Sequence, residues 1–295
     1  MEFDEWDREG MREELLARTL EYVTERVPYY RDLVSRGGIP DPSALESYPV
    51  VDAQCMSEHL QDFLVLDRFP EQVLVTGGTT GRPSLVFRSI DEYERMWERQ
   101  FGLAPGEMLP LEKMRGFKIF ACDMTHGAYF DAPHGQPLIR LPFKKTLHAK
   151  IVQRFIDEGL RVGGTVLPAN SLEMEFIDLK LFTAFLIGQG VDPAATSVRR
   201  LTSYGYHTPK GWRKRFEEVW GAKFSTFYGL SEFNLANMRE IADDGSFQIP
   251  VQVVPELFAP DRSGPLPDDE AGDGVLVLTS LAPYVEIQPR IRYWT

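Results

Sequence analysis

Residues Thr76-Gly77-Gly78-Thr79-Thr80-Gly81 place three glycines and three threonines in six consecutive positions. Glycine lets successive backbone amides approach an anion closely and form a concave, positive nest. Threonine hydroxyls add donors that turn toward phosphate oxygens. The same composition also makes an ordinary tight turn, so the loop taken alone leaves both readings open. It is not a Walker A loop, because Gly81 is followed by Arg82 and no lysine stands where that motif requires one. A second group is Tyr228-Gly229-Leu230-Ser231-Glu232, which offers a hydroxyl and a hard carboxylate of the kind magnesium takes. Read without its neighbours, Glu232 is a solvated glutamate after a turn and Tyr228 a core aromatic. The run Gly229-Leu230-Ser231-Glu232-Phe233 begins like a nucleophile elbow, but Phe233 stands where the second glycine is required, which disfavours a serine hydrolase. Phe120, Met124, His126, Gly127, Ala128, Tyr129 and Phe130 set apolar and aromatic residues around small ones. Such a set suits a slot for an aryl or acyl group, and equally a buried strand with a turn. His126 and His134 lack a third ligand at a supporting spacing, so zinc is disfavoured.

The elements that must hold these residues read as strands interleaved with helices, the α/β pattern. An acidic amphipathic helix occupies the first 35 residues, with Leu15, Leu16, Leu20, Tyr22 and Val23 as apolar positions and an interruption at Pro28. Gly37 to Pro42 is a breaker cluster, and Asp52 is the expected N-cap of a short helix through Leu60. Gln72 to Val75 reads as a buried strand, Leu85 to Phe87 as a second strand after the glycine–threonine loop, and Asp91 onward as helix. Strands with an embedded loop are expected over 117–145, and helices over 146–159 and 173–187. Thr208 is the expected N-cap of a helix with Pro209 at its first position and Gly221 at its end. Phe224 to Phe227 and Val275 to Leu278 read as strands, with 255–274 an exposed excursion between them.

Three ordered segments resemble the adenylate-forming superfamily, which includes the acyl- and aryl-CoA ligases. Gly78 to Gly81 and Pro83 match its pattern Ser/Thr-Ser/Thr-Gly-Thr-Thr-Gly-x-Pro-Lys/Thr, with Gly77 departing from Ser/Thr. Ser84 stands where many members have lysine, and the phenylacetate-CoA ligase branch often carries a hydroxyl there. Phe227 to Glu232 is similar to the family's Tyr-Gly-x-Thr/Ser-Glu element. Pro289-Arg290-Ile291-Arg292-Tyr293-Trp294-Thr295 is similar to the Pro-x-Ile-Arg-Tyr-x-Thr-x-Asp element of that same branch, the sequence stopping before the ribose-binding aspartate. Val27 to Arg31 and the 39–60 stretch also resemble the branch, so the likeness covers almost the whole chain. Ser203-Tyr204-Gly205-Tyr206 occupies the place where relatives contact adenine, without the usual Gly-Ala/Glu-Pro sequence.

The resemblance implies attack of a carboxylate on the α-phosphorus of ATP, giving an acyl-adenylate and pyrophosphate, with CoA or a carrier-protein thiol as later acceptor. It implies that Thr76, Gly77, Gly78, Thr79, Thr80 and Gly81 hold the β- and γ-phosphates, that Tyr228, Gly229 and Gly205 lie at the adenine, and that Ser231 donates to phosphate. Glu232 would hold Mg²⁺, and Thr80 and Glu232 are the candidate catalytic residues. His126, Gly127, Ala128 and Tyr129 would line the pocket of a small-molecule carboxylic acid. The implied fold is an α/β multilayer N-terminal core with two stacked sheet subdomains and a smaller β region, divided roughly at 1–70, 71–205 and 206–295. Family members continue into a mobile C-terminal lid of roughly one hundred residues. That lid, with its α-phosphate lysine, is expected to be absent from 1–295, slowing adenylation roughly 10²-fold or more. The alternatives are a lidless accessory protein that binds a nucleotide or adenylate without turnover, and an unrelated α/β enzyme whose loop takes another phosphorylated ligand.

Composition narrows the classes further. The 295 residues carry Lys+Arg 32 against Asp+Glu 44, a net charge of −12, which disfavours nucleic acid. Hydrophobic residues at 43% and charged residues at 26% exclude intrinsic disorder. Two cysteines, Cys55 and Cys122, make no disulfide framework. The acidic, polar start is no secretory signal and no apolar stretch reaches about 18 residues, so a cytoplasmic protein that does not enter a membrane is expected. A dimer is compatible with the sequence, which does not fix the oligomeric state.

Overall fold

The computed structural model describes residues 5–65, 67–75, 85–89, 91–92, 114–122, 138–143, 146–205, 207–230, 232–240, 246–267, 273–281 and 286–295. The chain divides into two units, the first formed by Met1–Met96, Leu230–Ala236 and Ile249–Thr295, the second by Trp97–Gly229 and Asn237–Gln248.

In the first unit, helix α1 (Glu5–Arg26) stops one residue short of Pro28, which starts α2 (Pro28–Ser35). Proline has no N–H to donate, and at the first position of a helix none is needed. The break leaves Val23, Val27 and Tyr30 fully buried. Tyr29 stacks on Phe63 at 4.1 Å between ring centroids, and Tyr30 meets Tyr48 and Phe63 edge-on. Asp52 caps α3 (Ala53–Glu58) by accepting from the Cys55 N–H at 2.9 Å, as the sequence predicts. Strands β1 (Gln72–Val75) and β2 (Leu85–Arg88) form an antiparallel ribbon in which Leu74 faces Val86, both buried. The buried strand expected at 72–75 is therefore only half buried, with Val73 and Val75 each 47% exposed. A two-stranded ribbon has one covered face, and an apolar run of four residues does not show which face that will be.

Strands β12 (Val253–Phe258), β13 (Val275–Ser280) and β14 (Tyr293–Trp294) form the antiparallel sheet of this unit, in that order. Residues 255–258, expected within an exposed excursion, are thus sheet, Pro255 lying opposite Leu278. β12 is an edge strand, where a proline's missing donor breaks no ladder.

The second unit is built on a seven-stranded sheet in the order β11-β10-β9-β8-β7-β3-β4. Its parallel part comprises β4 (Leu138–Pro142), β3 (Phe117–Cys122), β7 (Ala169–Glu175), β8 (Arg200–Tyr204) and β9 (Lys223–Leu230). β10 (Phe233–Glu240) and β11 (Phe247–Gln248) complete the sheet as an antiparallel pair. A small hairpin, β5 (Leu160–Val162) with β6 (Thr165–Leu167), precedes β7. Three helices cover one sheet face: α4 (Thr146–Glu158), α5 (Phe176–Gly188) and α6 (Lys210–Trp220). Each offers buried residues at helical spacing, such as Leu179, Phe182 and Leu186 on α5, against Ile119, Leu172 and Leu201 of the strands. Trp220 is fully buried and donates its Nε1–H to Thr183 Oγ1 at 3.0 Å.

Two boundaries correct the sequence reading. Residues 173–175 belong to β7, so α5 begins at Phe176. Thr208 does not cap α6: the cap position is Pro209, and the Thr208 hydroxyl is buried without a hydrogen-bond partner among the described residues. Gly221 ends α6 at φ 56°, the left-handed conformation expected of it.

Candidate functional site

Parallel sheets gather ligands outside the carboxyl ends of their strands, and the order here changes direction at β3, whose neighbours are β4 and β7. Two predicted site segments lie at this edge of the second unit: Gly205 follows β8, and Tyr228 and Gly229 are in the last residues of β9. Gly205 has φ 81°, and a Cβ there would meet the Glu175 Cγ at 3.4 Å, so only glycine fits without strain. Across the sheet face opposite the helices, Tyr204 stacks on Phe120 at 5.4 Å and on Phe227 at 5.6 Å. Beside this row Lys118 Nζ pairs with Glu173 at 2.6 Å, a charged pair largely withdrawn from water. The Tyr228 ring points to the other face and stays 36% exposed, an aromatic surface open to stacking.

The carboxylate of Glu232 belongs to the first unit, immediately before β10. It is half-buried, and its Oε1 accepts a hydrogen bond from the Tyr293 hydroxyl at 3.2 Å. Tyr293 is buried in β14, opposite Leu278 of β13 and bridged to Val51. Its phenol is held well above the ordinary tyrosine range, first by burial and then by the negative charge of Glu232. Behind it lies a buried set of charges. Arg88 pairs with Glu92 at 3.0 Å, and Glu92 also accepts from the amides of Ser89 and Ile287. Glu286 accepts from Ser280 and is pushed up to about 7 by burial and by the neighbouring Glu92. The Arg290 guanidinium is pulled down by burial and by Arg88.

Among the described residues no three His, Cys, Asp or Glu side chains converge on a point. Of the two Glu232 carboxylate oxygens, Oε1 is the one that takes the Tyr293 hydrogen bond.

Several predicted positions lie outside the described residues: Thr76, Gly77, Gly78, Thr79, Thr80, Gly81, Pro83 and Ser84 of the loop, Met124 to Phe130 and His134, Tyr206, Ser231, and the helix from residue 93. Sequence reasoning gave no role to Glu175, Gln288, Arg290 or Tyr293. Arg290 and Tyr293 lie in the Pro289–Thr295 segment that resembles the family's element, but a linear motif does not say which side chain meets Glu232. No helix among the described residues is long and apolar enough to cross a membrane.

No protein-family model matches the chain. It is 28% identical over 306 aligned positions to the phenylacetate-coenzyme A ligase of Thermus thermophilus, an alignment covering 97% of this chain. The chain spans 64% of that relative's length. An open conformation of 2-hydroxyisobutyryl-CoA ligase, crystallised with 2-HIB-AMP and CoA, superposes with a TM-score of 0.72 at 16% identity, covering 96% of this chain and 67% of that one. The same ligase in its thioesterification state gives 0.74 at 17% identity, covering 99% of this chain and 63% of that one. At such identities the likeness is one of fold, and it agrees with the mixed α/β, several-sheet architecture described above.

Proposed function

We propose that this chain is a member of the adenylate-forming superfamily on its phenylacetate-CoA ligase-like side, and that it activates a carboxylic acid with ATP. A carboxylate oxygen forms a bond to the α-phosphorus, the bond from that phosphorus to the bridging oxygen breaks, and pyrophosphate leaves with the electron pair. The resulting acyl-adenylate is the mixed anhydride from which a thiol, CoA or a carrier protein's, takes the acyl group, the new C–S bond replacing the acyl C–O bond as AMP leaves. The observation that carries this reading is the Tyr228-Gly229-x-Ser231-Glu232 run, which begins in the last residues of β9 and whose glutamate accepts a hydrogen bond from Tyr293.

The chain's own residues have mainly positioning work, as phosphoryl transfer demands. By the family resemblance the amides of 76–81 would take the β- and γ-phosphates; within the second unit the exposed Tyr228 ring offers a face to a base and the left-handed turn at Gly205 opens the backbone to a ligand. Glu232 would hold Mg²⁺, which when bound would supply positive charge against the departing pyrophosphate. The acid sits after β3, where His126, Gly127, Ala128 and Tyr129 line its pocket. The Phe120–Tyr204–Phe227 row favours a flat aryl or a compact acyl group there. ATP, Mg²⁺ and CoA are the implied cofactors, and the compartment implied is the cytoplasm.

Exchange of labelled pyrophosphate into ATP, run across aromatic, aliphatic and amino acids, tests the reading. Acid-dependent exchange that falls by about 10² or more in Glu232→Gln is expected. ATP binding with no exchange for any acid would instead favour an accessory protein that holds a nucleotide without turnover.

A further inference from the structure

We propose that Tyr293 is the positioning residue of Glu232, fixing one carboxylate oxygen so that the other faces the divalent cation that accompanies ATP. The proposal rests on the reading of Glu232 given above.

A glutamate at the start of a strand has three rotatable side-chain bonds, and freezing them for a ligand costs entropy. A hydrogen bond to a neutral donor removes part of that freedom in advance while leaving the carboxylate its charge. Tyr293 supplies this donor from a buried site, its hydroxyl 3.2 Å from Glu232 Oε1. Its ring has little room to turn. It packs on Phe233 at 5.7 Å and lies 5.9 Å from the Arg290 guanidinium. Arg290 is itself tied by Nη1 to the Gln288 carbonyl and by Nη2 to Gln288 Oε1, each at 2.9 Å, and its amide donates to Ser280 Oγ.

Gln288 Oε1 also accepts the Phe87 amide of β2 at 3.2 Å. Phe87 lies on the strand that follows the glycine–threonine segment, so one set of buried contacts braces both that strand and the carboxylate, all within the first unit. The residue before Tyr293 carries a further sign of constraint. Arg292 has φ 49°, a left-handed conformation costly for a side-chain residue. Two bonds to Glu256 and two to the Glu46 and Tyr48 carbonyls hold it there. Strain maintained by so many contacts is characteristic of segments whose direction matters to a site.

The test measures Mn²⁺ binding in the presence of ATP, followed by the EPR signal of free Mn²⁺, with thermal unfolding of each variant alongside. Tyr293→Phe keeps the ring and deletes the hydroxyl. It should weaken Mn²⁺ binding about tenfold, the scale of losing an outer partner of a metal ligand. Glu232→Gln should weaken it at least as much. In the Glu232→Gln background, Tyr293→Phe should add nothing, because a residue acting through Glu232 has nothing left to orient. A purely structural role would give the same added loss in both backgrounds, and that overturns the proposal, as does unchanged Mn²⁺ affinity in Tyr293→Phe. If Glu232→Gln itself binds Mn²⁺ like the parent chain, the reading of Glu232 has failed and the proposal falls with it. Should Tyr293→Phe not fold, Glu232→Asp serves instead. It withdraws the carboxylate from the hydroxyl by one methylene and keeps its charge, with the same tenfold loss expected and unchanged affinity contradicting it.

Discussion

Replacing Arg88 by methionine should be among the most damaging single changes in the first unit. Arg88 and Glu92 are each 1% exposed and pair at 3.0 Å. Removing the cation leaves a carboxylate in the interior, where an unpaired charge costs about 3–5 kcal/mol. The two amides of Ser89 and Ile287 that still donate to Glu92 Oε1 bring the expectation to the lower end, about 3 kcal/mol. Loss of Arg88 also removes a charge that lowers the Glu286 carboxyl, so repulsion between the two glutamates grows. For a unit of this size each kcal/mol moves the melting temperature by about 2–4 °C, which gives a fall of roughly 6–12 °C. Differential scanning calorimetry at pH 8 measures it, reading the lowest-temperature transition because two units need not unfold together. Arg88→Met combined with Glu92→Gln should recover about half of the loss, because the stranded charge is gone. A single variant within 2 °C of the parent, or a double variant no better than the single, would refute the reasoning.

Glu286 gives a pH dependence with a definite sign. Its folded-state value of about 7 lies above the ordinary 4.5, so the folded chain holds this proton more tightly than the unfolded one. The contribution is fully present below about pH 4.5 and is lost as pH rises through about 7. The urea midpoint of Glu286→Gln should therefore gain on that of the parent chain between pH 5 and pH 8. Asp52→Ala, which removes a cap, should cost about 1 kcal/mol in chemical denaturation. Thr208→Val should be neutral or slightly stabilising, since the buried hydroxyl has no hydrogen-bond partner to lose among the described residues. Gly205→Ala should cost about 1–2 kcal/mol by the same measurement, because φ 81° is left-handed and the new methyl meets Glu175.

Much of the architecture could be read along the chain where local chemistry decides it. Pro28 breaks α1 from α2, Asp52 caps α3, and Gly221 ends α6, each by a rule that needs only neighbouring residues. Thr208-Pro209 satisfied the same kind of rule and still misled, because the cap position falls on Pro209 and no side chain caps this helix. The Gly163-Gly164 pair joining β5 to β6 is a hairpin signal that passed unused, both glycines having positive φ. Pairing across long sequence separations was not legible: nothing in residues 253–258 announces β13 as partner. The site divides in the same way. Glu232 and Tyr228 were marked by a linear pattern, whereas the Tyr293 hydroxyl, 61 positions from Glu232, became visible only in three dimensions. Glu286, Gln288, Arg290 and Arg292 alternate with Ile287 and Ile291 like an exposed strand edge, yet all are buried. Their mutual bonds, which a sequence does not display, make that burial tolerable.

Crystals of the chain grown with a non-hydrolysable ATP analogue and Mn²⁺ test most directly whether Glu232 serves the nucleotide's metal. The account predicts an anomalous Mn²⁺ peak within about 2.0–2.5 Å of the Glu232 Oε2 atom, bridging to phosphate oxygens held by the amides of residues 76–81. A metal–nucleotide pair bound elsewhere, with Glu232 and those amides touching neither, would contradict it.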